Sequence, residues 1–132
     1  MQLHIETIQG ARVIRPVTPV LDASNAAELR ARLAHELTGV RHLVVDLSSA
    51  RTIDADGLTA LLECWHFARE HRVRLGLCGM STRARLAARL LALENIVPIA
   101  ENVDEALSAL GIPRPAPAVR DLAVSAAGGA RS

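Results

Sequence analysis

The side chains with the most chemistry to offer sit close together: Asp46 at the end of an apolar run, then Ser48, Ser49, Thr52, Asp54 and Asp56, with Gly57 directly behind. Such groups serve three kinds of chemistry. Alternate carboxylates followed by glycine occur in calcium loops, where oxygens surround the ion. An aspartate at a strand end can accept a phosphoryl group, and a serine can act as nucleophile when a base activates it.

Each of these has a requirement that the chain does not meet. From Thr52 to Glu63 the acids fall at the third and fifth places of a calcium loop, glycine at the sixth and glutamate at the twelfth. The first ligand would be Thr52 rather than aspartate, however, and a strand instead of a helix precedes it. Phosphoryl transfer to Asp46, as in a response-regulator receiver, needs an acidic pair after the first strand for Mg2+ and a lysine to neutralise the phosphoryl oxygens. The chain has no acidic pair there, and every basic residue is arginine. The lack of lysine also removes Walker A and Schiff-base chemistry. Ser48-Ser49 has no G-x-S-x-G elbow, and His4, His35, His42, His66 and His71 stand in no HExxH or triad-like context. No catalytic residue, metal or cofactor is expected. The carboxylates fit helix capping instead: Asp54 as the N-cap and Asp56 in the first turn, where the helix dipole favours negative charge by ~0.3–1 kcal/mol.

Composition narrows the partners. The 132 residues are 50% apolar, enough for one domain with one core. Net charge is +1, with 15 basic and 14 acidic residues interspersed, so no long-range field draws the chain to nucleic acid or anionic lipid. Arg83, Arg85 and Arg89 could form a basic face, but Trp65 and Phe67 are the only aromatics, too few for a stacking platform. The start carries no signal-peptide pattern and no apolar run spans a bilayer, so a cytoplasmic protein with no membrane contact is expected. Cys64 and Cys78 lack metal-ligand spacing and read as buried free thiols.

The elements that position these residues follow from periodicity. Gln2 to Ile8 and Arg12 to Val17, joined at Gly10, predict an opening hairpin. Asn25 with Glu28 reads as a capping box ahead of Leu29, Leu33 and Leu37, a helix ending near Gly39. His42 to Leu47 is a nearly continuous apolar run, the pattern of a central strand covered on both faces. Leu58, Leu61, Leu62 and Trp65 predict a helix to about Arg72, followed by a strand over Arg74 to Cys78. Leu86, Leu90 and Leu93 suggest a third helix, Ile96 to Ile99 a short strand, and Asn102 with Glu105 a second capping box before a last helix stopped by Gly111 and Pro113. Residues 1–112 form the domain; 113–132, rich in Pro, Ala and Gly, read as a flexible tail in which Val119, Leu122 and Ala126 could line a short docked helix. The alternation gives an α/β fold with a mixed sheet, an N-terminal hairpin and about four helices.

One stretch adds a resemblance. Leu21-Asp22 before the first helix, the Val44-Val45-Asp46-Leu47 strand and above all Ile53-Asp54-Ala55-Asp56-Gly57-Leu58 resemble the STAS family of anti-sigma factor antagonists, whose motif reads Ile-Asp-Ser-Ser-Gly-Leu. The likeness covers about residues 3 to 110. It implies a STAS-like fold and a protein-binding switch module that binds an anti-sigma factor, a GHKL-type serine kinase homologue, in transcription control. In the family that kinase phosphorylates the second serine of the motif; Asp56 occupies that position and Ala55 the first. Aspartate offers one charge and two oxygens, against about −1.5 to −2 and three for phosphoserine. Pro19 replaces a glycine before the Leu-Asp pair, and Leu93-Glu94-Asn95-Ile96 replaces a Gly-Leu turn. The expected partner face comprises Asp22, Ser24 and Asn25; Thr52, Asp54, Asp56, Gly57 and Leu58; and Ser81, Thr82 and Arg83, because loops after parallel strands gather on one sheet edge. A monomer or weak homodimer is expected. The alternative is a STAS scaffold subunit of a larger assembly, stressosome-like or lipid-transporting.

Overall fold

The computed structural model describes residues 1–112. The chain opens with β1 (Gln2–Ile8) and β2 (Ala11–Val17), antiparallel from Gln2 opposite Val17 to Ile8 opposite Ala11. Gln9 and Gly10 make the turn with φ of 51° and 83°, the handedness that matches the twist of the strands. There follow β3 (Val20–Leu21), α1 (Ala23–Glu36), β4 (His42–Asp46), β5 (Thr52–Ile53) and α2 (Ala55–Glu70). The rest is β6 (Arg74–Cys78), α3 (Thr82–Leu90), a 3-10 turn at Leu93–Asn95, β7 (Ile99–Ala100) and α4 (Val103–Ala109).

Five strands form one mixed sheet in the order β1-β2-β4-β6-β7, parallel throughout except for the hairpin. β4 is central, and Leu43, Val44 and Val45 are all fully buried, as a continuous apolar run requires when both faces are covered. Alternation divides the core. Ile14, Leu43, Val45, Leu75 and Leu77 face α1, α2 and α3. Ala11, Val13, Val44 and Cys78 face Ala106, Leu107 and Leu110 of α4.

Three expectations need correction. α1 begins at Ala23, capped by Asp22 with Asn25 as the reciprocal partner; Glu28 reaches the amino group of Met1 instead. The cap moves three residues upstream because Asp22 directly follows β3 and keeps its extended geometry, with φ −146° and ψ −168°. Leu86 and Leu90 do not form the buried stripe of α3: they are 54% and 79% exposed, while Ala84 and Ala88 are fully buried. Small side chains let the helix backbone lie close to the core and turn the leucines outward. Of the expected strand Ile96 to Ile99 only Ile99 is in a strand, the two-residue β7 it forms with Ala100, since Leu93 folds inward on the 3-10 turn and Val97 is buried beside it. The tail and its suggested docked helix lie outside the described residues.

Candidate functional site

The site is assembled on β3 and β5, which form a separate parallel ladder with Val20 opposite Thr52 and Leu21 opposite Ile53. Their flanks extend it. The amides of Arg51 and Thr52 donate to the Pro19 carbonyl at 2.9 and 3.2 Å, and that of Asp54 donates to Leu21 O at 3.1 Å. Pro19, which has no amide hydrogen, here supplies only an acceptor. The ladder sets the start of α2 against the strand that leads into α1. The approach is close: a Cβ on Gly57 would lie 2.6 Å from the Leu21 carbonyl oxygen and 2.9 Å from Ile53 Cγ2.

Each helix start carries its own cap. Asp22 Oδ1 accepts from the Ser24 amide at 2.9 Å and the Ser24 hydroxyl at 2.6 Å. Asn25 Oδ1 accepts from the Asp22 amide at 3.0 Å, and its Nδ2 donates to Val20 O at 2.8 Å. The Ser24 hydroxyl, then its amide, holds the Asp22 carboxyl below the usual carboxylate range. Asp54 Oδ1 accepts from the Gly57 amide at 2.9 Å. Ser81 Oγ accepts from Ala84 N at 3.1 Å and donates to the Arg51 carbonyl at 3.0 Å, so α3 is tied to the segment that enters β5.

The three predicted patches thus adjoin along one edge. Ser24, Asp54, Asp56, Thr82 and Arg83 are exposed; Asp22, Asn25, Thr52 and Ser81 are partly buried. Gly57 and Leu58 are buried, Leu58 at 1% exposure, so they shape the face from beneath and offer it no side-chain surface. The side chains of Asp56 and Arg83 make no hydrogen bond or ion pair with the described residues. Sequence reasoning missed Arg51 and Val20, both exposed between the patches. Strands of two residues leave no periodic signal, so nothing in the sequence placed those side chains there.

Other candidate groups are already engaged. Ser49 Oγ accepts from Arg15 at 2.8 Å, Asp46 Oδ1 accepts from Ser48 N at 3.0 Å, and Glu63 bridges Arg30 at 3.0 Å. Residues from Ala55 onward are helical and cannot wrap an ion; among the described residues no group of three or more His, Cys, Asp or Glu side chains could hold a metal. Arg85 pairs with Glu101 and Arg89 with Glu94, which neutralises two of the three arginines of α3. Both cysteines are free and buried, their thiols pushed up to about 12 by burial.

Sheet, hairpin and gathered helix starts define a small α/β domain that presents charged side chains on one edge and has no described helix long and apolar enough to cross a membrane. The STAS domain profile matches residues 2–106, and the chain belongs to the STAS domain family. A Thermotoga maritima protein described as a candidate anti-sigma factor antagonist superposes with a TM-score of 0.74 at 18% identity, over 83% of this chain and 94% of its own. An anti-sigma factor antagonist from Mycobacterium paratuberculosis gives 0.74 at 21%, over 83% and 93%. A chain of the stressosome gives 0.63 at 17%, over 82% and 96%. At these identities the likeness is one of fold.

Proposed function

We propose that this protein is a non-catalytic switch module of the anti-sigma factor antagonist type, binding an anti-sigma factor of the GHKL-type kinase class through the edge built by the starts of α1, α2 and α3. One observation supports this above others: Asp56, at the position of the family's phosphoacceptor serine, is exposed and its side chain is unpaired among the described residues, beside capped helix starts joined by the Ser81 to Arg51 bond. A fixed charge there needs a partner surface that supplies a cation or N–H donor. On this reading Asp56→Ala leaves that donor unmatched, and affinity falls by about 1–3 kcal/mol. The reverse case, in which Asp56 acts as a partial phosphoserine against a kinase built for serine, has the opposite sign: Asp56→Ala tightens binding by relieving repulsion. Titrating wild type, Asp56→Ala and Asp56→Asn against the cognate partner by calorimetry separates the two. Equal affinity for all three would reduce Asp56 to a helix-start residue and sink the proposal for that position.

A scaffold role in a larger assembly is the second reading, favoured by the fold likeness to the stressosome chain. A pull-down from the native host distinguishes them: a GHKL-type kinase homologue supports the switch, further STAS subunits or a transporter ATPase the scaffold. Under either reading the carboxylates serve as caps or contacts, so purified protein should release no phosphate from nucleotides and bind no calcium at micromolar concentration. A micromolar calcium site involving Glu63 would overturn this account of the loop.

A further inference from the structure

Between the middle of α1 and the second half of α2 runs an open groove of about 480 Å³, within the range of ~300–1,000 Å³ typical of small-molecule sites. One wall is a strip of small side chains, Ala27, Ala31 and Ala34, one helical face some 10 Å long at 1.5 Å per residue. The other wall is Cys64 and Phe67, the latter 37% exposed. Leu43 and Leu75 of the sheet close the floor with little surface left to it. The two charged lining residues are Arg30 and Glu63, bridged at 3.0 Å with side chains 44% and 53% exposed. A bridge so exposed contributes little and exchanges readily.

We propose that this groove binds a linear alkyl chain ending in a carboxylate, the chain lying along the alanine strip and the carboxylate taking the place of Glu63 on Arg30. The choice of head group follows from the donors. A guanidinium presents a planar fork that engages a carboxylate through two charge-assisted hydrogen bonds. A quaternary ammonium head group would meet only the Glu63 carboxylate and has no N–H to donate to it. Cys64 stays protonated at neutral pH, its thiol pushed up to about 12 by burial, so it offers an apolar wall and no nucleophile. The site runs along the middle and end of α1 and the second half of α2, includes neither of their N-caps, and is independent of the partner-binding reading.

Calorimetry and amide NMR shifts on the full chain, titrated with dodecanoate below its micellar concentration, test the proposal. Saturable one-to-one binding is expected, with shifts confined to the groove-lining stretches 27–37 and 63–67 and to Leu43 and Leu75 of the floor. Ala31→Leu fills the strip at an exposed helical position; it should keep the melting temperature and weaken binding at least about 10-fold. Arg30→Gln should weaken dodecanoate several-fold and leave dodecanol unchanged. Absence of saturable binding, shifts elsewhere, undiminished binding by folded Ala31→Leu, or dodecyltrimethylammonium binding as tightly as dodecanoate would each overturn the assignment.

Discussion

Asp54 and Asp56 are two residues apart and chemically alike, yet their surroundings give them different work. Asp54 binds the Gly57 amide, one of the donors that a helix start leaves without an intrahelical acceptor. Asp54→Ala should therefore lose about 1 kcal/mol of stability in urea unfolding. Asp56→Ala removes only a favourable charge in the first turn and should lose no more than ~0.3–1 kcal/mol, so binding data on Asp56 variants are read on a folded protein. His42 carries a pH dependence. Burial first, then Arg74 and Arg41, pull its imidazole below the ordinary value of 6.5. The unfolded chain consequently takes up the proton before the folded one as pH falls, and stability decreases as pH is lowered below about 6.5. Urea midpoints between pH 8 and pH 5 should show that slope, and His42→Gln should flatten it.

At the scale of elements, the decisive contact is between α2 and β3. Any side chain at Gly57 meets a backbone carbonyl at 2.6 Å, and backbone cannot swing aside as a flexible side chain can. Gly57→Ala should destabilise by about 1–3 kcal/mol through overpacking, with NMR shifts spreading into Val20–Leu21 and the α1 cap. An unperturbed β3 in a fully stable variant would show that the ladder does not position the site. α3 behaves differently, because its leucines face water. Leu90→Ser should leave stability within about 0.5 kcal/mol of wild type; a loss of partner affinity in the same variant would extend the contact face along α3.

The whole molecule divides its work between the two faces of the sheet. The face under α1, α2 and α3 carries the helix starts that form the site, and α4 seals the other with Leu107 fully buried against Val13 and Val44. Leu107→Ala should lose about 2–5 kcal/mol while leaving the edge of gathered helix starts, the proposed partner face, intact in the folded fraction. If partner affinity per folded molecule fell too, the two faces would be coupled more tightly than this layering implies. Cooperative unfolding is expected, since β2, β4 and β6 contribute side chains to both cores.

The sequence by itself determined the class of fold, the central strand and two of the caps that matter. The apolar run at Leu43–Val45 had to be covered on both faces, and Asp54 and Asn102 cap their helices as read. The motif Ile53 to Leu58 marked the family without any coordinates. Only tertiary structure decided which cap α1 uses, since the Asn25–Glu28 spacing pointed to Asn25 and the strand ending at Leu21 fixed the extended geometry that makes Asp22 the cap. It also decided that Leu58 is buried while Leu86 and Leu90 are exposed, because docking of α3 through Ala84 and Ala88 outweighs a helical apolar pattern. Above all it joined the three patches. Their proximity depends on the β3–β5 ladder and the Ser81 to Arg51 bond, contacts between residues about thirty apart, and no local periodicity encodes a pairing of that kind.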